Sequence, residues 1–97
     1  MSELSFEWDP FKALRNQQKH AVAFEEAQTV FDDPLAVIFE DELHSEDEPR
    51  EIIVGHSLQN QLLLVCYTER ADYIRIISAR RATPKERHDY ESGTRAG

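Results

Sequence analysis

Leu62-Leu63-Leu64-Val65-Cys66-Tyr67 and Tyr73-Ile74-Arg75-Ile76-Ile77 are two β-rich runs joined across Arg70-Ala71-Asp72. So short a connection leaves no room for a crossover, which predicts an antiparallel hairpin. Moving towards the N-terminus, a turn at Ser57 to Asn60 leads back to Ile52-Ile53-Val54, and the acidic segment Asp41 to Glu51 leads back to Ala36-Val37-Ile38-Phe39. Four runs in this order predict a meander. Towards the C-terminus, Thr83-Pro84-Lys85-Glu86 sets an N-cap threonine, a proline at the first helical position and a glutamate at N3, a capping box that opens a helix to about Tyr90.

The N-terminal third has the other period. After the brief extended stretch Phe6-Glu7-Trp8, Asp9 and Pro10 cap and start a helix through His20, with Phe11, Leu14 and Ala21 as its apolar positions. Phe24, Ala27, Val30 and Phe31 mark a second helix, with acids in its first turn and an end near Asp32-Asp33-Pro34. The short link between them predicts a helical hairpin. The expected fold is α+β: an N-terminal helical hairpin, a four-stranded antiparallel sheet covered by helices on one face, and a C-terminal helix.

Ninety-seven residues make one domain, expected over 1–91 with a mobile tail over 92–97. A single cysteine, Cys66, rules out an internal disulfide and a cysteine-rich zinc site. The N-terminus carries acid rather than Lys or Arg, and no apolar run approaches the ~20 residues of a membrane span, so the expected location is the cytosol, with no membrane partner. The net charge is −8, unevenly spread. Residues 1–69 hold four basic and fifteen acidic side chains, whereas residues 70–97 hold seven basic and four acidic, net +3. A polyanion belongs at the cationic end.

That end contains Arg75, Arg80 and Arg81, with Arg70 in the preceding turn. A guanidinium suits phosphate and stabilises charge that builds in phosphoryl transfer; the plainer reading of the same arginines is surface ion pairing with the abundant acids. Lys19-His20 closes the first helix. Imidazoles move protons near neutral pH, although a cation in a last helical turn is also favoured by the helix dipole alone. Glu69 shares a strand face with Tyr67 and could line a groove beside Arg75. His44, His56 and His88 lack ligand spacing and read as surface residues, so no metal or other cofactor is expected. Cys66, Tyr73 and Tyr90 read as packing residues, Trp8 as an anchor, and the acidic linker as a solvated loop, alternatively a docking strip.

Phe6-Glu7-Trp8-Asp9-Pro10, Lys12, Asn16, Lys19-His20, Phe24-Glu25-Glu26-Ala27, Val30-Phe31-Asp32-Asp33, Tyr67-Thr68-Glu69-Arg70 and Ile74 to Thr83, followed by Glu86-Arg87 and Tyr90-Glu91, together resemble the BrnT toxin family over residues 6 to 91. Ala23 stands where the resemblance implies a capping serine. The resemblance implies a RelE-like fold, a ribonuclease that stops translation, and neutralisation by BrnA, a ribbon-helix-helix antitoxin through which any DNA contact would run. Metal-free RNA cleavage needs a 2′-hydroxyl nucleophile, a group to activate it and cations around the phosphate. The roles expected on that basis are Arg80 and Arg70 on the scissile phosphate, His20 or Glu69 moving protons, and Lys19, Arg75 and Arg81 holding RNA. The rival reading is a non-catalytic protein-binding module whose arginines supply ion pairs. A direct DNA binder ranks last, because the net charge is acidic.

Overall fold

The computed structural model describes residues 4–41 and 49–93. The hairpin read first is present as β4 (Leu62–Glu69) and β5 (Ile74–Arg81), closed by a turn in which the Arg70 N–H donates to the Tyr73 carbonyl at 2.8 Å. β3 (Glu51–His56) pairs antiparallel with β4, and β2 (Val37–Glu40) with β3. A fifth strand, β1 (Phe6–Glu7), adds in parallel to the outer edge of β5, so the order is β1-β5-β4-β3-β2. The sheet is therefore five-stranded and mixed, where the sequence predicted four antiparallel strands. Two residues are too few to display a strand period, and their pairing with Ile74 and Arg75 is not a local property.

α1 (Pro10–His20) begins as expected, with the Asp9 carboxylate accepting from the Phe11 N–H at 2.8 Å. α2 (Phe24–Thr29) is short and tightens into a 3-10 turn over Val30–Asp32; Ala23 offers it no side-chain cap. Val22, Phe24, Ala27 and Val30 pack on Ile53, Leu63, Val65, Tyr67, Ile74, Ile76 and Ala79 to form the core. Each large side chain so buried contributes about 1.5–3 kcal/mol. Edge-on ring contacts run from Phe6 to Phe31 at 5.1 Å and on to Tyr67 at 5.0 Å, and Trp8 anchors the helices by meeting Phe24 at 5.8 Å.

The rotation of α1 differs from the expectation. Phe11 and Leu14, read as its apolar face, are 75% and 58% exposed, and Asn16 is the residue it buries. Hydrogen bonds from Asn16 to the sheet edge hold the helix in this orientation, as described below.

α3 (Pro84–Ser92) has the predicted capping box and ends at Gly93, which adopts a left-handed φ of 74°. None of its residues is buried. With Glu86, Asp89 and Tyr90 it lies across Phe39, Val54 and Leu64, on the face away from α1 and α2, so helices occupy both faces rather than one. The Tyr90 hydroxyl ties it down by donating to the Leu35 carbonyl at 3.1 Å. Because α3 runs to Ser92, it takes in the first residue of the expected tail; residues 94–97 lie outside the described residues, as do 42–48 of the acidic segment with His44. Gly55 passes under the Asp33–Ala36 corner, where a Cβ would stand 2.8 Å from the Ala36 Cβ and 2.9 Å from the Asp33 carboxylate.

Candidate active site

Strand alternation decides which arginines can meet. Along β4, Leu63, Val65 and Tyr67 face α1 and α2, while Leu64, Cys66 and Thr68 face the other way. On β5, Ile76 pairs with Tyr67 but Ser78 pairs with Cys66, which leaves Ile77 as an extra residue. This bulge resets the alternation. Ala79 becomes the buried position at 1% exposure, and Arg80, opposite Leu64, emerges on the face away from α1 and α2. Unbroken alternation from Ile74 would have turned Arg80 inward with the isoleucines and grouped Arg81 with Arg75.

β1 pairs only with Ile74 and Arg75, and further along β5 the open edge is taken by Asn16. Its Nδ2 donates to the Ala79 carbonyl at 2.8 Å and to the Val22 carbonyl at 2.9 Å, and its Oδ1 accepts from the Ala79 N–H at 3.0 Å. One side chain thus replaces a missing strand. His20 lies four residues on, along the same helical face, and so arrives at the edge of the face that carries Arg80.

Between them lies a concave cavity of about 360 Å³. His20, Ser78 and Arg80 form one side, Ile52, Leu64, Cys66 and Ile77 the floor, and Asp41 and Arg50 the opposite side. The Arg80 Nη atoms donate to the two Glu86 carboxylate oxygens at 2.9 Å each, and Nη1 also reaches the Arg81 carbonyl at 3.2 Å. This two-pronged grip raises the Arg80 pKa and holds the Glu86 carboxyl down at about 2, with the Thr83 N–H adding to the effect. Glu86 takes the end-on fork of the guanidinium; the edge bearing Nε and the outer Nη2 hydrogen has no partner among the described residues. Burial, reinforced by the Asp41 charge, pushes the Cys66 thiol up to about 11, so it stays protonated and is no nucleophile at neutral pH.

The remaining residues singled out in the sequence are elsewhere. Six strand residues at about 3.3 Å each put Arg70 about 20 Å from the Leu64–Arg80 row, too far for Arg70 and Arg80 to share one phosphate. Glu69 borders a separate depression with Pro49, Glu51 and Thr68. Arg75 opposes Thr68, on the face away from Glu69, and is paired with Glu7, while Tyr67 is only 3% exposed in the core. The groove expected from Tyr67, Glu69 and Arg75 is therefore not formed. Burial, then a hydrogen bond with Glu51, raises the Tyr67 phenol pKa. Lys19 and Arg81 are exposed, each the chain neighbour of a cavity residue. Arg80 and Arg81 are the last two residues of β5. The α3 N-terminus, where free N–H groups would attract phosphate, already holds the Glu86 and Thr83 side chains.

A family model described as the ribonuclease toxin BrnT of type II toxin–antitoxin systems matches residues 8–86. The chain belongs to the BrnT family of ribonuclease toxins. The 1.1 Å crystal structure of the Brucella abortus ribonuclease toxin BrnT is similar in fold, with a TM-score of 0.65 at 20% sequence identity over 84% of this chain and 99% of that one. No curated protein sequence matches the chain. For this BrnT-family chain, the cavity residues that sequence reasoning missed are Asp41, Arg50 and Ser78, together with Asn16 and Glu86 behind them. Arg50 had one usable signal, being the only Lys or Arg between Lys19 and Arg70. Among the described residues no group of three His, Cys, Asp or Glu side chains is placed to hold a metal ion, and no helix is long and apolar enough to cross a membrane.

Proposed function

We propose that this chain is an endoribonuclease that cleaves RNA by attack of a ribose 2′-hydroxyl on the adjacent phosphorus, in the cavity lined by His20 and Arg80. The observation that carries the reading is their convergence on one concave surface, produced by two unrelated features, the Asn16 clasp and the β5 bulge. In the first step the neutral His20 imidazole accepts the 2′-hydroxyl proton while that oxygen bonds to phosphorus. The side-on edge of Arg80 donates to the non-bridging oxygens as negative charge builds on them. The bond from phosphorus to the 5′-oxygen breaks, the leaving oxygen takes a proton from solvent, and the products are a 2′,3′-cyclic phosphate and a 5′-hydroxyl.

The substrate supplies the nucleophile, so no step requires a metal ion. Lys19 and Arg81 hold flanking phosphates at the rim. Arg70 and Arg75 lie farther along the hairpin and hold a longer strand; Glu69 has no part in proton transfer. Cleavage of messenger RNA would stop translation in the cytoplasm. The protein partner of this toxin is proposed to be a BrnA-like ribbon-helix-helix antitoxin, which would carry any contact with operator DNA.

The test is single-turnover cleavage of an RNA oligonucleotide in EDTA, beside the same oligonucleotide with one 2′-deoxyribose at the cleaved position. The expected result is cyclic phosphate product from the first and none from the second. Cleavage of the deoxy-substituted strand, or complete loss of activity in EDTA, would overturn the mechanism.

A further inference from the structure

We infer that the side of the cavity remote from His20 and Arg80 is a nucleobase subsite for guanine, read by Asp41 and Arg50; this rests on the ribonuclease reading above. Phe39 pairs with Ile52 and Glu40 with Glu51, and the Asp41 N–H donates to the Arg50 carbonyl at 3.0 Å, so Asp41 and Arg50 continue the β2–β3 ladder as cross-strand neighbours. Counting in twos from Phe39 and Ile52 brings both side chains to the cavity face, and both line it.

The two sides of the cavity therefore differ, because only the remote one holds a carboxylate. Arg80 on β5 and the Asp41 carboxylate at the end of β2, with Arg50 beside it, are separated by the apolar floor of Ile52, Leu64 and Ile77 and by Cys66, whose thiol donates to Asp41 Oδ2 at 3.8 Å. Strands about 4.8 Å apart put β5 about 10 Å from β3 and about 14 Å from β2, a gap for one nucleotide held by its phosphate on the Arg80 side chain. A phosphate at Arg80 thus lays its base on the floor with the Watson–Crick edge towards Asp41 and Arg50.

The carboxylate selects what it meets there. It only accepts hydrogen bonds, so the group against it must donate. Guanine alone presents two adjacent donors, N1–H and the 2-amino group, that match both oxygens of a carboxylate, and it offers O6 to a neighbouring guanidinium. Adenine and cytosine set a ring lone pair beside their single amino group. Uracil flanks its one N–H with two carbonyls. The apolar floor is indifferent to base identity and supplies only contact with the ring face.

The experiment uses oligonucleotides with a single ribose at the cleaved position, each of the four bases in turn at either flanking nucleotide, and inosine in place of guanine. Guanine at one flanking position is expected to raise kcat/KM at least about tenfold over the other three bases, with inosine, which lacks the 2-amino group, losing most of that gain. Asp41→Asn is expected to bring the guanine and inosine substrates to the same rate. The inosine comparison needs no protein variant, so it stands even where Asp41→Asn fails to fold. Equal rates for all four bases, or a guanine preference that survives in folded Asp41→Asn, would overturn the subsite and leave the nuclease reading intact. No cleavage of any substrate would remove both.

Discussion

At its open end the β4–β5 hairpin sets Arg80 beside a cavity that His20 also enters; at its turn end it sets Glu69 and Arg70 beside a smaller depression bordered by Glu51 and Glu69. Residue types are similar at the two ends, and each has an arginine paired with a glutamate, Arg80 with Glu86 and Arg75 with Glu7. What differs is support. At the open end the carboxylate partner is fixed in a helix cap, a bulge aims the arginine, and a buried asparagine carries in a histidine. At the turn end the pair joins two strands, and among the described residues no second functional group meets it in a cavity. Catalytic arrangements need groups whose own orientation is imposed by packing and hydrogen bonds, so residue type is a poor guide without that scaffold.

The largest test of this contrast is Arg80→Ala beside Arg70→Ala. Loss of a donor to the transition-state oxygens is expected to lower single-turnover cleavage about 100- to 1000-fold in the first, with less than about a threefold change in the second; equal losses would break the comparison. Next is Asn16→Ala. It leaves the Ala79 N–H and the Ala79 and Val22 carbonyls without their partner, at a cost of about 2–3 kcal/mol in chemical denaturation, and it should lower activity further by freeing the helix that delivers His20. A loss under about 0.5 kcal/mol would mean that Asn16 does not hold the open end together.

Glu86→Gln measures the supporting carboxylate. Its folded pKa of about 2 lies below the ordinary 4.5, so its stabilisation is fully present above about pH 4.5 and is lost as the pH falls towards 2. After allowance for solvent screening, the wild type should exceed the variant by about 1 kcal/mol at neutral pH, and thermal melts of the two should converge as the pH is lowered through that window. A difference that grew on acidification would contradict the pairing. The smallest effect belongs to the turn end. Arg75→Ala should change stability by less than about 1 kcal/mol, as exposed ion pairs do, and a larger loss would mean that the β1–β5 edge matters more than its exposure indicates.

How much of this was legible depended on range. The Asp9 cap, the Thr83 capping box and the tight turn at Arg70 are each specified within four residues, and all three are found where the sequence put them. His20 and Arg80 were picked out by chemical type and do share the cavity. Arg70 and Glu69 were picked out on the same grounds and do not, because chemical type carries no information about which end of a hairpin is concave. Phe11 and Leu14 were read inward from their hydropathy, but three hydrogen bonds made by buried Asn16 outweighed an apolar pair that could be left in water. Cys66, read as core, borders the cavity for a related reason: an apolar strand has two faces, and only its neighbours decide which one is filled.

By itself, then, the sequence determined the local elements and the antiparallel order of β2 to β5, since caps, turns and strand propensity act between residues a few positions apart. Only the tertiary structure decided the parallel β1 edge, the rotation of α1 and the bulge at Ile77, since each depends on backbone groups from distant segments finding partners across the sheet. The candidate site belongs to the second class. One extra residue in β5 reverses which of two adjacent arginines faces the cavity, and the pattern of apolar and charged residues along that strand does not encode the reversal.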